Sequence, residues 1–233
     1  MKYSKTIVCL ANSRKPGGRC VAGKEIIPKG YGNWIRPVSA RPSAEIADDE
    51  SQYENGGNLH LLDIVEIPML ASVPHLHQTE NHMIDAAYYW KKKGTVKWDD
   101  LNDLVDEPST LWGNGDSTYH GRNDRVRHSA VAEYRNSLWL VKPENVTIHI
   151  LVPGADFGNP KRAARADFMY AGTQYNLKVT DPVSEQAFLA EENGEYGLDE
   201  DIYFCISLAE VHTDGYCYKL VAGIFSEDSL KLR

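Results

Sequence analysis

Apolar and polar positions fall into short runs along most of this chain, and the runs read as strands. Tyr3 to Asn12 is rich in Ile, Val, Thr and Tyr and predicts a first strand. A Pro16-Gly17-Gly18 turn follows, and Arg19 to Ile27 predicts a second strand. Asn33 to Ser39, entered through Gly30-Tyr31-Gly32, predicts a third. Its alternation sets Trp34, Arg36 and Val38 on one face and Ile35 on the other, while Pro37 marks an edge or an end of pairing. Leu59 to Leu70 is almost continuously apolar and predicts a central strand buried on both faces for part of its length. Asn81 to Trp90 offers a less regular closing strand.

The pattern then changes. Trp98 to Val105 predicts a short helix started by Asp99 or Asp100, with Leu101, Leu104 and Val105 on one face. Thr110 to Ser129 is rich in Gly, Asn and Asp and reads as a long surface loop; its Arg122, Arg125 and Arg127 are weaker candidates for backbone contacts. Strand patterning returns at Leu138 to Val141, Val146 to Val152, Lys161 to Tyr170 and Gln174 to Thr180. Asp181-Pro182 opens a helix through Leu189, with Asp as cap and Pro at the first helical position. An acidic loop, Glu191 to Asp201, leads into the last two strands, Ile202 to Leu208 and Cys217 to Phe225.

Length bounds this to one large or two small domains. A hydrophobic content of 42% with 25% charged residues is that of an ordinary soluble globular protein, and no apolar run reaches a membrane span. The start, Met1 to Lys5, leads into a run too short and too quickly polar for a signal peptide, so a cytoplasmic location is expected. Cys9, Cys20, Cys205 and Cys217 form no CxxC pair, which favours free thiols over zinc ligands. The formal net charge of −8 argues against binding a polyanion with the whole surface. Its distribution points the other way: before Pro42, Glu25 is the only acid beside Lys2, Lys5, Arg14, Lys15, Arg19, Lys24, Lys29, Arg36 and Arg41. Such segregation is how a local electrostatic footprint looks in sequence; the other reading is a basic edge neutralised by the acidic remainder.

The basic turn carries the chemistry. Ser13 to Lys24 combines turn glycines, which bring the backbone close to a ligand, with Arg14, Lys15, Arg19 and Lys24, which suit phosphate oxygens. Gly18 to Lys24 also matches the Gly-x-x-x-x-Gly-Lys part of a phosphate-binding loop. Glu25 stands where magnesium needs a hydroxyl, and Ile26-Ile27-Pro28 replaces the required helix, so nucleotide hydrolysis is excluded on this motif. Trp34 offers a stacking surface with Arg36 beside it; the bland reading is a core tryptophan under a snorkelling arginine. His75-x-His77 with His82 lacks a second cluster, so no metal is assigned. Asp63, Glu66, His82 and Asp85 could form a carboxylate–imidazole cluster of an enzyme acting on nucleic acid or a nucleotide, but their spacing is not diagnostic.

In the C-terminal block, leaving Leu138 to Val141 aside, three strands, a helix and two more strands follow the topology of an OB-fold, a five-stranded Greek-key barrel. The N-terminal runs suit a second barrel. The fold class is therefore mainly β with short helices: two small OB-like barrels, 1–90 and 137–233, joined by an irregular, partly helical segment, 91–136. The chain also resembles the bacterial dual OB-fold domain proteins. The resemblance rests on Lys5 to Lys15, Gly18 to Lys24 and Trp34 to Ser39, and further on Glu80-Asn81-His82, Ser137 to Leu140 and Tyr175 to Pro182. It implies a noncatalytic nucleic-acid-binding module with two barrels and leaves open which nucleic acid, RNA or DNA, single or double strand; no cofactor is expected. Arg14, Lys15, Arg19 and Lys24 would then hold phosphates while Trp34 stacks beside Arg36; in the second barrel Lys161, Arg162 and Arg165 would be the basic part and Tyr170 the aromatic one. A protein partner, or a modified base or small ligand held by Trp90, Trp98 and Trp112, is the alternative.

Overall fold

The computed structural model describes residues 2–154, 158, 160–198 and 201–227. The chain divides into two compact units, Met1–Val105 with Arg135–Ser137, and Asp106–Tyr134 with Leu138–Arg233. The segment expected to connect the barrels is thus shared between them. Residues 91–105 belong to the first unit because they complete its sheet and bury Leu101 and Leu104.

The first unit contains β1 (Tyr3–Lys15), β2 (Gly18–Ile27), β3 (Gly30–Val38), β4 (Asp63–Ser72), β5 (Asn81–Ile84) and β6 (Lys91–Thr95), then a 3₁₀ helix, Trp98–Leu104. Its strand order is β1-β2-β3-β5-β4, and β4 pairs back onto β1. The sheet therefore closes, with β3 and β5 as its parallel pair. β1 serves both halves: Tyr3 to Val8 pairs with β4 and Ile7 to Lys15 with β2. An irregularity between Cys9 and Ala11 interrupts the register with β2, and such bulges bend a strand. Gly23 lies where β1 and β2 approach most closely: a Cβ there would stand 1.9 Å from the Val8 carbonyl oxygen. Ile7, Val65, Ile67 and Met69 share one buried face, and Trp90 is fully buried as well. β6 adds outside the closed ring, on the edge of β4.

The second unit contains β7 (Arg125–Arg127), α1 (His128–Val131), β8 (Leu138–Val141), β9 (Glu144–Leu151), β10 (Ala163–Tyr170), β11 (Thr173–Val179), α2 (Pro182–Ala190), β12 (Gly194–Leu198), β13 (Tyr203–Val211) and β14 (Tyr216–Phe225). The order β9-β10-β11-β14-β13 repeats that of the first unit, again with a parallel pair, β11 and β14. β12 pairs with β9 at the far end of the sheet, so the fourth strand is split into β12 and β13. This corrects the acidic loop expected at Glu191 to Asp201: Gly194–Leu198 is a strand, and Asp199 and Glu200 lie outside the described residues. Backbone pairing to β9 outweighs the poor strand propensity of Gly and Glu. β8 and β7 extend the sheet at β13 and β14. At α2 the Asp181 carboxylate accepts from the Val183 N–H and the Ser184 hydroxyl, and Pro182 occupies the first turn, as the sequence predicts.

Candidate nucleic-acid interface

OB barrels bind ligands across their second and third strands and the loops beside them. In the first unit that face is β2–β3 and the β1–β2 turn. Arg14 and Arg19 are direct partners across the turn, and Lys15 pairs with Gly18. Like charges in directly opposed positions destabilise a strand pair. Arg14 is exposed and Arg19 partly so. Asp48, the carboxylate nearest Arg19, stands 3.9 Å away and is 89% exposed, a geometry worth little in water. Gly17, with φ of +85°, makes the tight turn. A Cβ on Gly18 would stand 2.3 Å from the Ile46 carbonyl oxygen, because Arg19 and Ile46 exchange backbone hydrogen bonds of 2.8 and 2.9 Å. The segment around Ile46 therefore lies along the hairpin and brings Glu45 under it. The Arg41 guanidinium, bonded at 2.8 Å, lowers the Glu45 pKa.

The rest of the expected first-barrel set is not open surface. Trp34 and Lys24 are 8% and 9% exposed, and the Lys24 ammonium lies 5.7 Å from the Trp34 ring centroid. The ring's partner is thus a lysine of its own sheet, and the expectation of a free stacking platform is corrected. Arg36 is 4% exposed. It pairs with Glu80 at 3.5 Å, donates to the Ser137 hydroxyl at 2.7 Å and reaches the Cys20 thiol. A guanidinium held this way cannot reach a phosphate without breaking a buried network, so its assignment is corrected too.

In the second unit the equivalent pair, β10–β11, is bordered and in part overlaid by its own chain. Arg165 forms a buried pair with Asp124 at 2.8 Å and bonds to the Asn176 carbonyl and side chain. Arg122 and Asn176 exchange two backbone hydrogen bonds, and Asn123 donates to the Gln174 carbonyl. The stretch read as a surface loop thus lies on the strands. Burial lowers the Arg165 pKa, against the pull of Asp124. Arg162 is exposed but donates to the Leu189 and Glu191 carbonyls, closing the C-terminal end of α2. The Tyr170 hydroxyl donates to the Pro108 carbonyl, and burial pushes its pKa up to about 12. Lys161 is exposed. These four do not converge on an open groove, because two are committed to backbone carbonyls and one to a buried carboxylate.

The acid–base candidates are each engaged by another side chain, and Glu66 pairs with Lys93. Asp63 is buried and accepts from the Tyr53 hydroxyl at 2.7 Å; His82 bonds to the Tyr3 hydroxyl at 2.6 Å; Asp85 pairs with Lys2 at 2.7 Å. Among the described residues no group of His, Cys, Asp and Glu side chains is placed to hold a metal ion.

One surface escaped the sequence reading. Tyr88-Tyr89-Trp90-Lys91-Lys92-Lys93 interleaves aromatic and basic residues, a signal legible in the sequence but cut by the expected boundary at residue 90. Trp90 is core, whereas Tyr88 and Tyr89 are 58% and 56% exposed. The three lysines on β6 pair with Glu54, Asp63 and Glu66.

No helix is long and apolar enough to cross a membrane among the described residues. No curated protein and no solved structure matches the chain. The model of the dual OB-containing domain family matches residues 5–224, nearly the whole length. Each unit independently shows the strand order that this description requires, so the chain belongs to the dual OB-containing domain family.

Proposed function

We propose that this OB-fold module binds a nucleic-acid strand with the β1–β2 hairpin of its first barrel. The observation that carries the reading is the opposed placement of Arg14 and Arg19 beside the Gly17-Gly18 turn. Opposed positions set the two arginines on one face of the hairpin, where one phosphate can accept charge-assisted hydrogen bonds from both. The turn sits at the loop that OB barrels use for oligonucleotides. Lys15 adds a third cation at its foot. The second barrel, whose Arg165 is held by Asp124 and whose β11 edge is taken by Arg122, serves as a scaffold in this reading.

The test is the salt dependence of binding to a panel of single-stranded DNA and RNA oligonucleotides. Each phosphate contact contributes about 0.7 to the slope of log K against log salt for a single strand. Arg14→Ala with Arg19→Ala is expected to weaken binding across the panel and to lower the slope by about 1.4. Unchanged affinity and slope would remove the hairpin from the interface.

A further inference from the structure

A second concavity lies at the other end of β1. It measures about 490 Å³, a size that suits a small ligand. Tyr88 and Tyr89 line it, together with Lys2, Lys91, Glu54 and Glu66. Three features set it apart from ordinary surface. Adjacent tyrosines, each more than half exposed, offer ring surface that burial elsewhere in the unit does not use. The buried Asp85 carboxylate pairs with the largely exposed Lys2 ammonium at 2.7 Å, and the cation stands 5.4 Å from the Tyr88 ring centroid. Lys91 and Glu54 form a loose rim pair at 3.5 Å, 49% and 64% exposed, which a ligand can open at small cost.

Stacking rings, cations and carboxylates in one cleft match a nucleotide: base on tyrosine, phosphate on lysine, base N–H groups on carboxylate. The carboxylates choose among bases. Guanine presents two adjacent N–H donors, which one carboxylate accepts together, whereas uracil presents a single N–H between two carbonyl oxygens that a carboxylate repels. We infer that the cleft between the start of β1 and Tyr88–Tyr89 binds a guanine nucleotide, free or at the end of a strand, with its base on the tyrosines, its phosphate at Lys2 and Lys91, and its N–H edge on Glu54 or Glu66. The turn at Pro16 lies on the order of 30 Å along β1 from this cleft, so the site is separate from the hairpin and stands or falls without it.

Titration calorimetry of the full chain with GMP and UMP tests this. Saturable GMP binding is expected, with UMP at least tenfold weaker. Tyr88→Ala with Tyr89→Ala should lower GMP affinity about tenfold or more, since stacking on one ring already supplies that much; both rings are exposed, and an unchanged melting temperature checks the fold. Glu54→Gln with Glu66→Gln should erase the preference for GMP over UMP. Arg14→Ala with Arg19→Ala should leave GMP binding intact, which separates this site from the proposed oligonucleotide interface. GMP bound in preference to a short oligonucleotide ending in guanosine identifies the free nucleotide as ligand; the reverse order identifies a strand end. Absence of GMP binding at millimolar concentration, equal binding by the tyrosine double variant, or a lysine-rich peptide binding in place of both nucleotide forms would overturn the inference.

Discussion

Arg36 and Glu80 show how burial decides the role of a charge. Their side chains are 4% and 5% exposed, and the Ser137 hydroxyl donates to Glu80 while accepting from Arg36. Removing one partner leaves a buried charge uncompensated, which costs about 3–5 kcal/mol, whereas replacing both with apolar residues costs far less. Glu80→Ala is therefore expected to lower the urea midpoint much more than Arg36→Met with Glu80→Leu does. Lys219 is a further basic side chain in the interior, 1% exposed. Burial pushes its pKa down to about 7, with the Asp124 charge opposing the shift. Its amine donates to the Gly113 carbonyl at 2.7 Å and to Asn114 Oδ1 at 3.0 Å, bonds that a neutral amine with two N–H groups can still make. Between pH 7 and the ordinary lysine value of 10.5 the unfolded chain holds one proton more than the folded one. Stability should accordingly rise with pH across that window and lose this dependence below about 7. Urea unfolding followed from pH 6 to 10 in the parent and in Lys219→Met checks the sign, because the variant should lack the rise.

At the level of elements, the segment bordering β10–β11 is held by a close contact. A Cβ on Gly121 would stand 1.8 Å from Asp124 Oδ2 and 2.5 Å from Arg165 Nη2. Gly121→Ala must separate the ion pair or lift the segment, an overpacking that costs about 1–3 kcal/mol. Faster amide exchange at Arg122 and Asn176, whose backbone groups bond to each other, is the expected readout; unchanged exchange would show that the segment has another anchor. Strands were largely legible before any coordinates. Short runs of β-branched and aromatic residues between Gly and Pro marked β1 to β4, and Asp181-Pro182 marked α2. β12 was not legible, since Gly-Glu-Tyr-Gly-Leu has neither the alternation nor the propensity of a strand and exists through its pairing with β9. β6 was missed for a related reason: three consecutive lysines form an edge strand whose charges are met by Glu54, Asp63 and Glu66.

For the molecule as a whole, the question is where the charge goes. The basic residues before Pro42 look like one footprint, yet four of the nine meet carboxylates from elsewhere in their own unit: Lys2 meets Asp85, Lys5 meets Glu25, Arg36 meets Glu80 and Arg41 meets Glu45. Of the ten residues proposed from sequence to bind nucleic acid, Arg14, Lys15 and Arg19 are brought together at a turn. Two distinct surfaces remain, the hairpin and the tyrosine cleft, each with its own ligand test. The sequence by itself determined the two barrels, because strand order in an OB-fold follows from a run of local patterns, each set by a few neighbouring residues. It also determined the tight basic turn, whose glycines and cations are adjacent in the chain. Only the tertiary structure decided which cations face water, since an arginine's burial and its carboxylate partner depend on residues tens of positions away, as Arg36 and Glu80 or Arg165 and Asp124 illustrate. Pairing over that distance leaves no local mark in the sequence.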